Sequence, residues 1–210
     1  DILLLIGKAI PSVIQQSIPA VSTTFLTALI STYGITAIAT YGITGKLETI
    51  LFYPAMALNM VLTTIVGQCI GGQRIDRAKD YLKCALKHGC VLLFILSGII
   101  VIFSKQLSGF FVYSTDVATI VGEYFLTVSI GYVLNTATNC FLGVLNGCGK
   151  PAKSMFLMIF YYIVVRMPLA YLLSSLGFGL KGIWGAVLVS HICAAVASML
   201  ISLIQIKSKE

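Results

Sequence analysis

Lys46 and Glu48 stand two residues apart in "TGKLETI", inside a run that is apolar on both sides. On a helix that spacing turns the two side chains about 200° from each other. They cannot neutralise one another, so each needs a partner on another segment, or water. The other polar groups set in apolar stretches are Gln16 and Thr23, then Thr44, Asn59 and Thr63, then Tyr132, Asn135 and Asn139, then Arg166. These residue types at this sparse spacing suit binding rather than bond making. A carboxylate holds a cation or pairs with a basic side chain, amides and hydroxyls contact a ligand or bridge helices, and a guanidinium forms a salt bridge with a carboxylate or a hydrogen bond between helices. Polar groups at membrane depth face a bundle interior or a wet cavity.

The elements that carry them are predicted to be membrane helices. The 210 residues are 58% hydrophobic and 10% charged, with mean hydropathy +0.99. A soluble domain carries about 25% charged residues. Spans of membrane length recur at about 9–32, 37–71, 76–103, 117–146, 153–175 and 183–205. The expected fold is therefore all-α, a six-transmembrane-helix bundle forming a single lobe over 1–210. Strands are excluded because a barrel needs alternating patterns. Pro54 predicts a kink in the second span. The segment "SKQLSGFFVYSTD" reads as a short, partly interfacial loop. The six cysteines, at 69, 84, 90, 140, 148 and 193, include no C-x-x-C pair and read as small apolar residues, with no metal site expected.

Basic residues set the orientation. Lys8, Arg74, Arg77, Lys79, Lys83, Lys87, Lys150, Lys153, Lys207 and Lys209 fall on one side, and only Lys105 and Lys181 on the other. This bias places both ends, and the loops after the second and fourth spans, in the cytoplasm. The net charge of +7 thus reads as topology and lipid-headgroup contact, not nucleic-acid binding.

Depth suggests partners for the intramembrane charges. Glu48 lies roughly 16 Å in from the outer end of its span, Arg166 roughly 15 Å and Glu123 roughly 10 Å, at 1.5 Å per residue. A Glu48–Arg166 contact satisfies both charges if the second and fifth spans meet, and Glu123 is the other candidate for Arg166. Tyr41, Thr44, Glu48, Phe52, Ala55, Asn59 and Thr63 form one polar stripe. Gln16, Asn59 and Asn135 suit helix-to-helix hydrogen bonding as well as ligand contact. Gly67/Gly71 and Gly143/Gly147 have the spacing that permits close helix approach.

Four stretches in order, "IPSVIQQS" (10–17), "TAIATYGITGKLETILFYPAMALNMVLTTIVGQCIGG" (36–72), "NGCGKP" (146–151) and "RMPLAYLL" (166–173), resemble the multidrug and toxic compound extrusion (MATE) transporters. The resemblance covers essentially the whole chain and implies the C-terminal six-helix lobe of a twelve-helix protein, so Asp1 would lie inside a longer chain. It further implies a cation-coupled (H+ or Na+) antiporter in the plasma membrane. Such an antiporter exports cationic amphiphilic drugs by rocking against an N-terminal lobe, and its cavity here would be lined by Gln16, Thr23, Thr44, Lys46, Glu48, Asn59, Tyr132, Asn135, Asn139 and Arg166. The acidic residues of the family's sodium-coupled branch correspond to positions near Pro19 and at Asn135. Neither is acidic, so the coupling ion is expected mainly in the other lobe, with no cofactor. The alternatives within transport are a flippase for lipid or lipid-linked oligosaccharide and a six-helix carrier that dimerises. An intramembrane serine protease is disfavoured because Ile95-Leu96-Ser97-Gly98 lacks the first Gly of the Gly-x-Ser-Gly turn.

Overall fold

Apolar side chains on every face drive these segments into helices, and Gly, Pro and polar residues end them. A computed structural model describes residues 2–208, apart from the side chains of residues 3–5 and 8. Three positions invoked above, Asp1, Lys209 and the side chain of Lys8, lie outside the described residues. The elements are α1 (Ile2–Ser31), α2 (Ile35–Gly71), α3 (Ile75–Gly109), α4 (Thr115–Gly147), α5 (Pro151–Ile159), α6 (Met167–Leu173) and α7 (Gly179–Lys207). π-helical stretches, Phe160–Arg166 and Ser174–Phe178, join α5 to α6 and α6 to α7.

The run Pro151–Lys207 is helical by hydrogen bonding throughout, but it is two arms. Gly177 has φ 90°, ψ 5°, a left-handed conformation that glycine adopts without Cβ strain. The chain turns there, and α7 packs back along α6 and the first π-helical stretch. Pro168 accounts for that wide stretch: it lacks an N–H and its ring crowds the carbonyl one turn earlier, so the backbone upstream loosens into π turns ending at Arg166. A second glycine turn, Gly149 at φ 73°, leads into Pro151 at the start of α5.

α2 stays helical across Pro54. α3 runs on to Gly109, so the first six residues of the expected loop 104–116 are helical. Only 110–114 link α3 to α4, and the Ser114 hydroxyl caps α4 by accepting from the Val117 N–H at 3.4 Å.

α4 is the axis of the bundle. It packs on α2, α3 and α7, and 44% of its most apolar window is buried, against 22–28% for α1, α2 and α3. Its small residues allow this. A Cβ on Gly143 or Gly147 would strike α2 backbone, so α2 and α4 touch through those glycines. Gly67 abuts the Gly147 carbonyl at the same crossing, whereas Gly71 faces open space. The second glycine pair is therefore an interface and the first only half of one.

The helix ends sort the charges. Lys153 Nζ donates to Gln205 Oε1 at one end of the bundle. At the other end Tyr33 and Ser174 share a 2.6 Å hydrogen bond, and Lys181 meets Glu123 at 3.5 Å. Exposed apolar side chains such as Phe94, Ile95 and Ile102 cover the outside of α3, as lipid contact requires.

Candidate functional site

A cavity of about 170 Å³ opens between α1, α2, α4, the arm containing α5 and α6, and α7. α1 contributes Gln16 and Thr23, α2 Glu48 and Asn59, α4 Asn135 and Asn139, and the α5–α6 arm Arg166. These are the residues of the expected set that the fold brings together. Phe52, Met56, Met60 and Met158 supply apolar and thioether wall. Pro19 lies within α1 at the wall, and Thr23 one turn on returns its hydroxyl to the Pro19 carbonyl at 2.9 Å.

Three expected lining residues sit elsewhere. Thr44 is fully buried between helices and donates to the Tyr41 carbonyl at 3.0 Å. Lys46 is exposed on the far side of α2, its Nζ 5.4 Å from the centroid of the Phe111 ring. Its long stem carries the ammonium toward the helix ends, where an aromatic face partly substitutes for water. Tyr132 is 1% exposed and stands behind the wall, where it holds Glu48.

The expected Glu48–Arg166 contact is not formed, nor is the alternative between Arg166 and Glu123. Tyr124 Oη and Tyr132 Oη both donate to Glu48 Oε1, the second at 2.7 Å. Arg166 Nε donates to Ser190 Oγ at 2.8 Å, and its Nη2 lies 3.2 Å from His191 Nε2. Glu123 pairs with Lys181 at the bundle end, where the lysine is exposed and the glutamate half-exposed. Depth put Glu48 and Arg166 in one layer, but packing decided their partners. α2 lies along α4, which brings Glu48 to tyrosines, whereas the α5–α6 arm lies on α1 and α7, which brings Arg166 to Ser190 and His191.

The carboxylate is held in a rigid frame. Trp184, fully buried, meets Tyr124 edge-on at 4.7 Å and lies against Tyr41 at 6.2 Å. Phe52 meets Tyr132 edge-on at 5.8 Å. Both phenols converge on Oε1, which leaves Oε2 without a hydrogen-bond partner among the described residues. Glu48 can therefore offer one oxygen to a proton or a cation while the other stays fixed.

Further along the cavity the amides tie helices together. Asn59 Nδ2 donates to Asn139 Oδ1 at 3.4 Å, Asn139 Nδ2 to the Asn135 carbonyl at 3.0 Å, and Thr63 Oγ1 to the Asn59 carbonyl at 2.8 Å. Asn59, Asn135 and Asn139 thus bridge α2 and α4 and line the cavity at once. Tyr124, Tyr161, Tyr162 and His191 also line it but were not among the expected residues. Tyr124 and Tyr132 stand eight residues apart, hence on one face of α4. That spacing was readable, although aromatic residues at such spacing are ordinary core.

Comparison with known proteins agrees with this architecture. The family model MatE matches residues 11–172. Over 158 residues the chain is 30% identical to "Probable multidrug resistance protein NorM" of Pasteurella multocida, covering 73% of this chain and 34% of that one. It is 27% identical over 143 residues to "Protein DETOXIFICATION 29" of Arabidopsis thaliana, covering 68% and 29%. A crystal structure of the Vibrio cholerae MATE transporter VcmN in the bent form superposes with a TM-score of 0.87 at 20% identity, covering 95% of this chain and 45% of that one. The chain spans about a third of the length of these curated relatives, and its helices match half of the solved transporter. The family model covers most of the chain and the fold agrees with it: the chain belongs to the MatE family of membrane transporters.

Proposed function

We propose that the chain is the C-terminal half of a cation-coupled multidrug efflux antiporter that exports cationic amphiphilic compounds by alternating access. The observation that carries this reading is Glu48. Among the described residues it is the one carboxylate lining the cavity, oriented by two tyrosine hydroxyls, and the wall around it combines aromatic rings and methionines with the amides and Arg166. An amphiphilic cation needs a negative charge for its head and polarisable apolar wall for its body. The coupling ion, H+ or Na+, binds mainly in the other half, because Asn135 offers an amide oxygen without charge. The host is the plasma membrane, with both ends of the chain in the cytoplasm.

In the full-length transporter, Glu48→Gln is expected to lower kcat/KM for export of a cationic dye by about tenfold, equivalent to 1.4 kcal/mol. Membrane abundance should not change. Export at the wild-type rate across several cationic dyes would remove Glu48 from substrate binding.

Orientation is tested separately. Arg77 is exposed near the start of α3. A single cysteine introduced as Arg77→Cys in a cysteine-free background is expected to resist a membrane-impermeant maleimide in intact cells and to react after permeabilisation. Strong labelling of intact cells would invert the topology.

A further inference from the structure

Arg166 is a permanent positive charge in the wall of a membrane-depth cavity, and only 7% of its surface is exposed. Its neighbours are a hydroxyl, an imidazole nitrogen and the ring of Tyr162, 4.4 Å from the guanidinium carbon. None of the three is an anion. Among the described residues no carboxylate lies within ion-pair distance, and Nη1 has no hydrogen-bond partner. When His191 Nε2 accepts from Arg166, the imidazole proton sits on Nδ1. That atom is buried without a partner, in a residue that is itself 1% exposed and lines the same cavity.

A buried cation in this setting calls for an anion. Dipoles and a π face lower the cost of burial, and Glu48 acts on the charge only at a distance across the cavity, so no anion touches the guanidinium. Ser190 and His191 hold Nε and Nη2 and so fix the plane of the guanidinium, which leaves its remaining N–H groups to an anion that presents two oxygens. A carboxylate or phosphate fits that fork. The acceptor has two sources, the other half of the transporter or the substrate. Arg166 lies on the cavity lining, where a substrate can reach it.

We infer that Arg166, positioned by Ser190 and His191, is an anion-accepting subsite for the carboxylate or phosphate of an amphiphilic substrate, on a different wall from the cation-accepting Glu48. The inference rests on the efflux reading above and narrows its substrate class to amphiphiles that carry both charges.

The test uses the full-length transporter in nanodiscs and two dyes read by fluorescence anisotropy. Rhodamine B bears a delocalised cation and a free carboxylate, and its ethyl ester keeps only the cation. The wild type is expected to bind the acid more tightly than the ester. Arg166→Gln should weaken the acid by about tenfold, the loss of one charge-assisted contact, and leave the ester unchanged. Arg166→Lys should recover part of the loss, because it keeps the charge without the fork. If Arg166→Gln does not fold, Arg166→Lys carries the same comparison, with selective weakening of the acid as the expected result. Equal weakening of both dyes would overturn the subsite, as would an ester bound as tightly as the acid by the wild type. A ligand-free loss of thermal stability in Arg166→Gln with both affinities intact would overturn it too, by assigning the anion to the other half. Wild-type binding of the ester alone would sink the subsite while leaving the efflux reading standing. If neither dye binds, the efflux reading fails. A rise in melting temperature with sodium benzoate over sodium chloride, seen in the wild type and lost in Arg166→Gln, would then still uphold the subsite, and its absence would overturn both.

Discussion

Gly143→Ala is expected to lower the thermal stability of the purified full-length transporter clearly, and Gly147→Ala to do the same, whereas Gly98→Ala should leave it unchanged or raise it slightly. Alanine is intrinsically the better helix residue by about 0.5–1 kcal/mol, so any loss must come from tertiary contact. At position 143 a Cβ would lie 2.6 Å from the Asn59 carbonyl oxygen, 3.0 Å from Leu62 Cβ and 3.1 Å from Asn59 Cα. At 147 it would lie 2.8 Å from Val66 Cβ and 2.9 Å from the Thr63 carbonyl oxygen. These are backbone and Cβ atoms, which cannot rotate aside, so α2 and α4 must separate. Overpacking of this kind costs about 1–3 kcal/mol. At Gly98 nothing lies within 4 Å of the added atom. Separation would also stretch the Asn59–Asn139 contact beside Gly143, so dye binding should weaken along with stability. A melting temperature for Gly143→Ala matching that of Gly98→Ala would mean that the two helices do not cross there.

The second large effect is a coupling between Glu48 and its tyrosines. In a double-mutant cycle on thermal stability in detergent, Glu48→Gln with Tyr132→Phe should be markedly non-additive. The interaction energy should reach about 1 kcal/mol or more, because hydrogen bonds to a charged group contribute about 1.5–3 kcal/mol. The glutamine retains an acceptor oxygen, so the cycle reports mainly the part due to charge. Tyr124→Phe should couple in the same direction, since its hydroxyl reaches the same carboxylate oxygen. Glu48→Gln with Arg166→Gln should couple more weakly than either tyrosine pair, because Arg166 is held by Ser190 and His191 and reaches Glu48 only through charge across the cavity. Strict additivity for both tyrosine pairs, together with strong coupling between Glu48 and Arg166, would mean that α2 is rotated or that the α5–α6 arm is displaced.

Lys46 and Glu48 show how much of this was legible. Their separation by two residues required opposite faces, and the structure places one over Phe111 at the exposed side and the other in the cavity wall. The polar stripe of α2 was real as a helical face but mixed in use. Glu48 and Asn59 reach the cavity, while Thr44 and Ala55 at the same helical phase are sealed against neighbouring helices. His191 offered no signal, since a lone histidine in an apolar helix is ordinarily packed or hydrogen-bonded. It became a cavity residue only when α7 folded back beside Arg166.

The amino-acid sequence by itself determined the solvent, the secondary structure and the family. Apolar length forces helices in lipid, charge bias along the chain marks the two ends of the bundle, and four ordered stretches carry the resemblance that the family match supports. The tertiary structure alone decided who meets whom. Position along a helix sets depth, the coordinate in which Glu48 and Arg166 coincide. Partnership also requires a shared azimuth and a shared neighbour, and those follow from the packing of whole helices. Gly143 and Gly147 draw α2 onto α4, and the turn at Gly177 lays α7 along the arm that bears Arg166. Contacts more than seventy residues apart in the chain, such as Glu48 with Tyr124 and Tyr132, leave no local pattern, because no periodicity within one helix encodes the rotation of another.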